Sequence, residues 1–462
     1  MLVGHGKIRT IARTTNPGGS DMKVRLIGIV VVLLAVFTTA ACGGGGNSSS
    51  SSSASSKTLT YWASNQGTSL ENDKAVLTPE LAKFEKQTGI KVSLQVIGWP
   101  DLLNKILAAT TSGQGPDVLN IGNTWAASLQ ATGAFMPFDA AALTAIGGQD
   151  KFVPASFATG GMAGTAPTSV PLYALVYGLY YNKQMFASAG LQPPTTWQEL
   201  VSDATKLTDP AKKQYGMVLE GGSYTESVHF AFIFGRQNGG QPFDAGGKPT
   251  FTSAGMINGV KQYVDLLGKY KVVNPSNVQY KNGPEAPGDF AKGKAAMLMS
   301  QNNADNTLQA DGMKSSEYGV VAIPAPSPLP AGGADVASFV AGINLSIFKN
   351  TKNQDAALQF VKFMTSPEEQ AILDKPFTAL PVVKGGTVNF TDNKAEAAAF
   401  AQVLATKAEA LPRVPAESAF ETNVGDAVNG LLAQAATGKA VSNSDIKAAL
   451  QEAQDKMAAA GN

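Results

Sequence analysis

The sequence predicts an α/β protein in which buried strands form sheets covered by helices. Two observations lead to this prediction. Short apolar runs of strand length alternate with longer stretches of helical pattern along most of the chain. The length of 462 residues, with 44% apolar residues, is enough for two or more domains.

The alternation is clearest in the first part of the chain. Strands are predicted over 58–63, 91–97 and 118–121, and helices over 79–87 and 101–111. This βαβαβ order predicts a parallel sheet with right-handed crossovers and helices on both faces. In open sheets of this kind, ligands bind beyond the carboxyl ends of the strands, so those ends are the first candidates for a site.

Amide side chains and aromatic rings follow each of these three strands. This mixture suits a sugar, because each hydroxyl both donates and accepts hydrogen bonds while the C–H face of the ring packs on an aromatic plane. Each tryptophan also has a structural interpretation, as a helix-start contact for Trp99 and as a buried side chain for Trp125. Trp62, within the first strand, is predicted to be a core residue. The candidates for ligand contact are Asn65, Gln66, Trp99, Asn123 and Trp125.

The middle of the chain contains a second series of local signals. The apolar run 172–181 predicts one buried strand. Asn182 is predicted to cap the helix that follows, and Gly190 to end it in the left-handed conformation. Thr196 and Glu199 are spaced as a capping box, which predicts the start of another helix.

Several motifs resemble one family at matching spacings. The clearest is P-x(8)-Y-Y-N-K-x-x-F-x-x-A-G-L-x-P-P-x-T-W-x-E-L over 171–200. T-S-G-Q-G-P-D-V, F-x-x-G-x-x-A-M and A-G-I-N-L-S-I-F-K occur before and after it. Together they resemble the family 1 extracellular solute-binding proteins of carbohydrate ABC importers, which include the maltose-binding proteins.

The resemblance implies a periplasmic-binding-protein-like fold of type II, with two hinge-linked lobes and a cleft between them. The first lobe would comprise 57–173 and 341–387, and the second 174–340 and 388–462. It also implies a binding protein with no catalytic residues, cofactor or metal, acting as a monomer. An oligosaccharide would be captured by lobe closure and delivered to the membrane permease of the importer.

The resemblance adds site candidates from the rest of the chain. Glu220 and Tyr224 are the nearest matches to an acidic residue and an aromatic that maltose-binding relatives supply to the sugar. Tyr173 and Tyr177 could provide further stacking surfaces, and Arg413 could reach the cleft.

At three positions the chain departs from the maltose-binding pattern. Ile121, Asn303 and Glu421 each stand where those relatives carry an aromatic residue. Asn303 and Glu421 remain candidates for ligand contact. The departures argue against maltodextrin as the ligand, although they leave carbohydrate as the class.

The N-terminal region has the layout of an export signal. Residues 1–41 are interpreted as a leader and signal peptide, in which a charged start at 22–25 precedes a short apolar run. Cys42, within T-A-A-C-G, resembles the lipid-modified cysteine of a bacterial lipobox. A Gly/Ser tract up to residue 56 predicts a flexible tether. These features predict a protein held at the outer face of the cell membrane.

Composition bears on partners and on the enzyme alternative. A net charge of +1 gives no long-range attraction to nucleic acid, and the 15% content of charged residues suits a polar, uncharged ligand. A glycosidase would need two carboxylates, and Glu220 with Glu421 is the pair considered. His229 lies in the apolar run S-V-H-F-A-F-I-F and is predicted to be a core residue rather than a catalytic one. A surface lipoprotein with no transport role is the remaining alternative.

Overall fold

The computed structural model describes residues 58–391 and 393–459. The predicted leader, Cys42 and the Gly/Ser tether lie outside the described residues. Within the described part, no helix combines the length and the apolar character that crossing a lipid bilayer requires.

Eleven strands are found in the described part of the chain, and they fall into two larger sheets and one two-stranded pair. In chain order they are β1 Thr58–Ser64, β2 Lys91–Ile97, β3 Val118–Gly122, β4 Ser169–Leu175, β5 Tyr177–Asn182, β6 Tyr215–Val218, β7 Ala295–Gln301, β8 Tyr318–Val321, β9 Ser338–Phe339, β10 Ala341–Ile347 and β11 Ala408–Glu409.

Helices of very different length connect and cover these strands. In chain order they are α1 Leu70–Thr88, α2 Trp99–Ser112, α3 Ala126–Ala131, α4 Ala140–Ala145, α5 Pro154–Phe157, α6 Lys183–Ala189, α7 Trp197–Lys206, α8 Tyr224–Gln237, α9 Ala254–Gly268, α10 Glu285–Ala291, α11 Ala304–Ala310, α12 Gln354–Met364, α13 Pro367–Asp374, α14 Lys394–Thr406, α15 Glu417–Ala436 and α16 Asn443–Ala459.

The first sheet has five strands in the order β2-β1-β3-β10-β4. The predicted βαβαβ unit is confirmed, since β1 pairs in parallel with both β2 and β3. The late strand β10 is inserted between β3 and β4 and runs antiparallel to both. The chain therefore returns to this sheet after leaving it, and the sheet is mixed.

The second sheet has four strands in the order β6-β7-β5-β8. Strand β5 lies in its interior, antiparallel to β7 and β8, while β6 joins β7 in parallel. The short strands β9 and β11 form a separate parallel pair. Each larger sheet is the centre of one lobe.

The predicted single strand over 172–181 is wrong in one respect, because it is divided at Val176 into β4 and β5 of different sheets. The backbone N–H of Val176 donates to Asn302 Oδ1 at 2.8 Å, and its carbonyl accepts from the Asn302 N–H at 3.1 Å. Both backbone groups of Val176 are thus used by a neighbouring segment rather than by either sheet. The chain passes from one sheet to the other at this residue.

The local helix signals are largely confirmed. The Asn182 side chain accepts from the Met185 N–H, Gly190 has a φ of 65°, and Thr196 with Glu199 forms the predicted capping box. The helix predicted over 79–87 is longer than expected, because it begins at Leu70 under a cap from Ser69. Pro79 therefore lies inside α1 rather than at its start.

The tryptophan of the first strand is only partly buried, which corrects the prediction of a core position. Trp62 packs beside the cluster of buried residues that contains Leu102 and Leu119. The Lys105 ammonium lies 4.5 Å from the centre of its ring. Trp62 therefore covers the edge of the core and takes part in a cation–π contact.

Candidate ligand-binding site

A cavity with a volume of about 120 Å³ lies where the strand ends of the two larger sheets meet. Its walls combine residues that follow β1, β2 and β3 with residues that follow β6 and β7. The two places where the chain passes between the sheets also contribute, through Leu175 and through 339–343. This arrangement matches the expectation that ligands bind beyond the strand ends of an α/β sheet.

The first-sheet wall contains the residues predicted from the strand ends. Asn65 and Gln66 follow β1, Trp99 opens α2, and Asn123 and Trp125 follow β3. The Trp99 indole N–H donates to the Asn65 carbonyl at 2.7 Å, which links two of these strand ends. The half-buried indole of Trp99 is thereby held at the cavity.

The loop after β1 is fixed by a buried carboxylate. Asp73 on α1 accepts hydrogen bonds from the backbone N–H groups of Gln66 and Gly67, both at 2.6 Å, and from Asn65 Nδ2 at 3.0 Å. Burial raises the pKa of Asp73 to about 6, although these three donors act in the opposite direction. Asp73 itself is fully buried and is not part of the cavity wall, so it positions the residues that are.

The second-sheet wall is built by the turn after β6 and the start of α8. Glu220, Ser223, Thr225, Glu226 and His229 all line the cavity. The Ser223 side chain caps α8 by accepting from the Glu226 N–H at 3.3 Å. The end of β7 contributes Ser300 and Gln301 to this wall, and the residues after it contribute Asn303 and Thr307. Lys281 lies exposed at the rim.

The walls are joined across the cavity by a direct hydrogen bond. The Trp125 indole N–H donates to Glu421 Oε2 on α15 at 2.5 Å. On the other side of this carboxylate, His229 Nε2 lies 3.5 Å from Oε1, which is longer than a good hydrogen bond. His229 Nδ1 is 2.9 Å from the Tyr177 hydroxyl, which in turn donates to Glu226 Oε1 at 2.7 Å.

The carboxyl groups around the cavity are strongly affected by burial. Burial raises the pKa of Glu220 well above its usual value, and the neighbouring Glu226 and Glu285 add to the effect. The pKa of Glu226 is raised for the same first reason, while His229 and the Tyr177 hydroxyl oppose the rise. Desolvation penalises the charged form, so these carboxyls need a partner in order to ionise easily.

Glu417 and Glu421 lie one helical turn apart at the start of α15, and both are 1% exposed. Burial raises the pKa of Glu417, and the adjacent Glu421 carboxylate adds to the rise. For Glu421 burial acts in the same direction, but the nearby His229 imidazole together with Thr124 and Glu417 outweighs it, and the pKa is lowered. The two carboxyls therefore differ in how easily they ionise.

Four residues predicted for ligand contact lie outside the cavity wall. Tyr173 is 2% exposed and packs edge-on against Phe377 in the core, with ring centres 5.4 Å apart. Tyr177 is fully buried one layer behind the wall, where its hydroxyl reaches Glu226 and His229. Both side chains turn inward because the strands that carry them are buried on both faces.

Tyr224 and Arg413 are displaced for other reasons. Tyr224 is the first residue of α8, at the place where this helix packs against α15. The Tyr224 carbonyl lies so close to Gly425 of α15 that a side chain at Gly425 would overlap it. Arg413 donates to the Ala158 carbonyl at 2.6 Å and lines a smaller neighbouring pocket with Asn123. Ile121, one of the three departures, is a 1% exposed core residue.

His229 is buried as predicted, at 8% exposed, but it also lines the cavity, and the sequence-based prediction did not identify it, Glu226 or Thr225 as cavity residues. The spacing of these residues contains the missing signal. Thr225 and His229 are four positions apart and Glu226 and His229 three apart, so all three lie on one face of α8. The apolar neighbours Val228 and Phe230 lie to either side of His229 and are buried in the core.

No cluster of histidine, cysteine, aspartate and glutamate side chains in the described residues has the arrangement of a metal site. The chemistry that the wall offers is hydrogen bonding by amides, hydroxyls and carboxyls, together with one accessible indole face. Groups of this kind hold a small polar ligand.

Residues 67–371 match the family of bacterial extracellular solute-binding proteins, and the chain belongs to this family. The proteins of this family bind solutes, and the family is not one of enzymes. This assignment agrees with the two sheets, the crossings between them and the shared cavity.

Individual relatives and a solved structure support the assignment. The putative ABC transporter periplasmic-binding protein YcjN of Escherichia coli is 27% identical over 334 residues, covering 71% of this chain and 74% of its own. The diacetylchitobiose binding protein DasA of Streptomyces coelicolor is 25% identical over 373 residues, covering 79% and 82%. A solute-binding protein from Agrobacterium radiobacter, solved with ribitol, superposes with a TM-score of 0.71 at 26% identity, covering 87% of this chain and 98% of its own. The predicted two-lobed fold is confirmed.

Proposed function

We propose that this protein captures a sugar or polyol in the cavity between its lobes and delivers it to the membrane permease of an ABC importer. Capture would proceed by closure of the two lobes around the ligand, without breaking any bond of the ligand. The division into lobes at 57–173 with 341–387 and 174–340 with 388–462 is part of this proposal.

The observation that carries the proposal is the convergence of amides, hydroxyls and carboxyls from both lobes on one cavity beside the Trp99 indole. A sugar satisfies this set because its hydroxyls both donate and accept, and its C–H face packs on an indole. The carbohydrate and polyol ligands that the names of DasA and the Agrobacterium protein give for those proteins support the same class.

The length of the ligand is a separate part of the proposal. A cavity of about 120 Å³ is small beside the ~300–1,000 Å³ of typical ligand pockets. An oligosaccharide, which the sequence favours, would therefore need the lobes to move apart from this arrangement. We expect affinity to depend on chain length, which a series from one to four rings of one sugar would measure.

The test of the class is a binding screen with product analysis. Purified protein is incubated with monosaccharides, polyols and oligosaccharides, and binding is measured by the rise in melting temperature and by calorimetry. We expect the melting temperature to rise and the recovered ligand to be unchanged. Cleaved ligand would favour the glycosidase alternative, and no response to any carbohydrate would favour a surface lipoprotein without a transport role.

A matched pair of tryptophan variants tests the location of the site. Trp99→Ala removes a half-buried indole at the cavity, whereas Trp62→Ala removes a half-buried indole of the same lobe away from it. We expect the first change to weaken binding on the order of tenfold and the second to leave it unchanged. Equal effects of the two changes would contradict the proposed location.

The proposed location in the cell rests on Cys42 and is tested independently. We propose that lipid attached to Cys42 anchors the protein to the outer face of the membrane, with the Gly/Ser tract as a tether. Labelling of cells with a fatty-acid analogue should mark the wild-type protein and not Cys42→Ser. Equal labelling of the two proteins would exclude this anchor.

A further inference from the structure

The cavity wall carries an excess of acidic groups that the neutral composition of the chain does not suggest. Glu220, Glu226 and Glu421 line it, while Lys281 and His229 are the basic side chains in the same lining. We propose that the cognate ligand carries a protonated nitrogen, as in an amino sugar or an amino polyol. This inference rests on the proposed function and specifies its ligand class.

The first supporting observation is a carboxyl on the second-sheet wall that has no hydrogen-bond or ion-pair partner among the described residues. Among the described residues, the Glu220 side chain has no hydrogen-bond donor and no ion-pair partner, although it follows β6 directly into the cavity. Among the residues that the structure describes, the side chain of Glu226, six positions later, accepts a hydrogen bond only from the Tyr177 hydroxyl. Two carboxyls therefore face the same space with one neutral donor between them.

The second observation comes from α15, a different segment of the same wall. Glu421 is 1% exposed and lines the cavity, yet its Oε1 has no hydrogen bond within the described residues, and the nearest basic atom, His229 Nε2, lies 3.5 Å away. Its other oxygen is already used by Trp125. A buried carboxylate oxygen without a donor is costly, so a donor supplied by the ligand would remove the penalty.

The available basic groups do not balance these carboxyls. Within residues 58–391 and 393–459, the cavity lining contains no arginine. Lys281 is exposed at the rim and forms no ion pair with another described residue. Neutral hydroxyls would supply donors but no charge. A ligand ammonium group supplies both, and charge-assisted hydrogen bonds are about twice as strong as neutral ones.

The same charges act against anionic ligands. A ligand carboxylate or phosphate would be placed beside Glu220 and Glu226 in a site where little water remains to screen the repulsion. Burial raises the pKa of both glutamates, so an ammonium group beside them would favour their ionised form, whereas a ligand anion would oppose it. Affinity is therefore expected to fall from ammonium to hydroxyl to carboxylate at one ligand position.

Ligands that differ only in one group test this order. Glucose, 6-amino-6-deoxyglucose and glucuronate form a ring series, and sorbitol, glucamine and gluconate form an open-chain series. Calorimetry at neutral pH is expected to give an ammonium member that binds on the order of tenfold more tightly than its hydroxyl member in at least one series. The carboxylate member is expected to bind most weakly in both.

Substitutions of Glu220 and Glu421 test whether these carboxyls cause the preference for an ammonium ligand. In Glu220→Gln and in Glu421→Gln, the ratio of ammonium to hydroxyl affinity should fall toward one. Glu85→Gln removes the same charge from an exposed position of α1 and should leave the ratio as in the wild type. Thermal unfolding of each variant identifies any that fails to fold, and the two cavity variants serve as replicates of each other.

The outcomes distinguish a failure of the proposed charge preference from a failure of the proposed carbohydrate capture. If a neutral sugar binds and its ammonium analogue binds no more tightly in either series, the charge preference is wrong and carbohydrate capture stands. If a carboxylate member binds best, the charge preference is also wrong. If neither these series nor the wider carbohydrate panel binds, both proposals fall.

Discussion

Asp73 is the clearest case of a single residue that supports the site without lining it. Its carboxylate holds the loop of Asn65, Gln66 and Gly67 through three hydrogen bonds of 2.6 to 3.0 Å. A helix residue thus fixes the backbone that presents two of the cavity amides. The loop would otherwise have to be ordered by the ligand, at a cost in affinity.

Replacing this carboxylate should weaken ligand binding. In Asp73→Asn the side chain keeps its shape but turns a donor toward one of the two backbone N–H groups. The expected loss is on the order of tenfold, because hydrogen bonds to charged groups contribute ~1.5–3 kcal/mol each. Calorimetry on Asp73→Asn is compared with Asp455→Asn, an exposed change on α16, and equal affinities would show that the loop needs no such support.

The same residue predicts a pH effect on stability. Burial raises the pKa of Asp73 from 3.8 to about 6, so the folded state binds this proton more tightly than the unfolded state does. The contribution of Asp73 to the free energy of unfolding is therefore largest below about pH 4 and is lost as the pH rises to about 6. Urea unfolding should show Asp73→Asn gaining stability relative to the wild type across that window, and a constant difference would contradict the prediction.

At this scale, the sequence could predict which residues follow a strand but not where long side chains point. Asn65, Gln66, Asn123 and Trp125 lie in the cavity wall because their position depends only on where a strand ends. Tyr173 and Tyr177 turn inward because β4 and β5 are buried on both faces, which depends on distant partners.

Among the elements, α15 brings the C-terminal part of the chain to the site. It packs on α8 and α9, and its first turns carry Glu417 and Glu421. The approach to α8 is closest at Gly425, where a side-chain carbon added to the glycine would overlap the Tyr224 carbonyl. Gly430, one and a half turns later, has nothing within 4 Å of the same position.

Alanine at these two glycines should have opposite effects. Gly425→Ala forces α15 away from α8 and should lower the free energy of unfolding by about 1–3 kcal/mol. Gly430→Ala should raise it by up to ~1 kcal/mol, since alanine favours the helix and meets no neighbour. Chemical denaturation of both variants measures the difference, and a stable Gly425→Ala would show that the two helices are not in rigid contact.

Element boundaries followed from the sequence where the signal was local. The Thr196 capping box and the Gly190 terminus formed as predicted because each involves neighbours within one turn. The start of α1 was missed, since Pro79 resembles a first-turn proline and the true cap is Ser69. The break at Val176 depends on Asn302, 126 positions away, and no local pattern reports it.

For the whole molecule, Asn302 ties the crossing at Val176 to the segment that contains Thr378. Its side chain accepts from the Val176 N–H and donates to the Thr378 carbonyl, and the residue is fully buried. Asn303 beside it lines the cavity instead. Asn302 therefore supports the crossing between the sheets, whereas the adjacent Asn303 contributes to the cavity.

The pair predicts a separation of stability from binding. Asn302→Ala leaves a buried donor and a buried acceptor unpaired and should lower the free energy of unfolding by ~2–5 kcal/mol. Asn303→Ala should change stability by less than ~0.5 kcal/mol and weaken ligand binding. Denaturation and calorimetry on both variants decide the assignment, which would be wrong if the two effects were exchanged.

The overall architecture could be predicted because motifs along most of the chain resemble one family, and the bilobed fold followed from that resemblance. The acidic character of the cavity could not. Trp125 and Glu421 are 296 positions apart, and the overall charge of +1 conceals the local excess of carboxyls. Only the folded chain brings these groups together.

The hydrogen bond between Trp125 and Glu421 also has a kinetic meaning. Because it joins the end of β3 to α15 across the cavity, separating the lobes requires its rupture. The Arg413 donation to the Ala158 carbonyl and the Ser418 N–H donation to Ser128 Oγ join the same two parts of the chain, so we expect the residence time of a guest to depend on how often these three contacts open together.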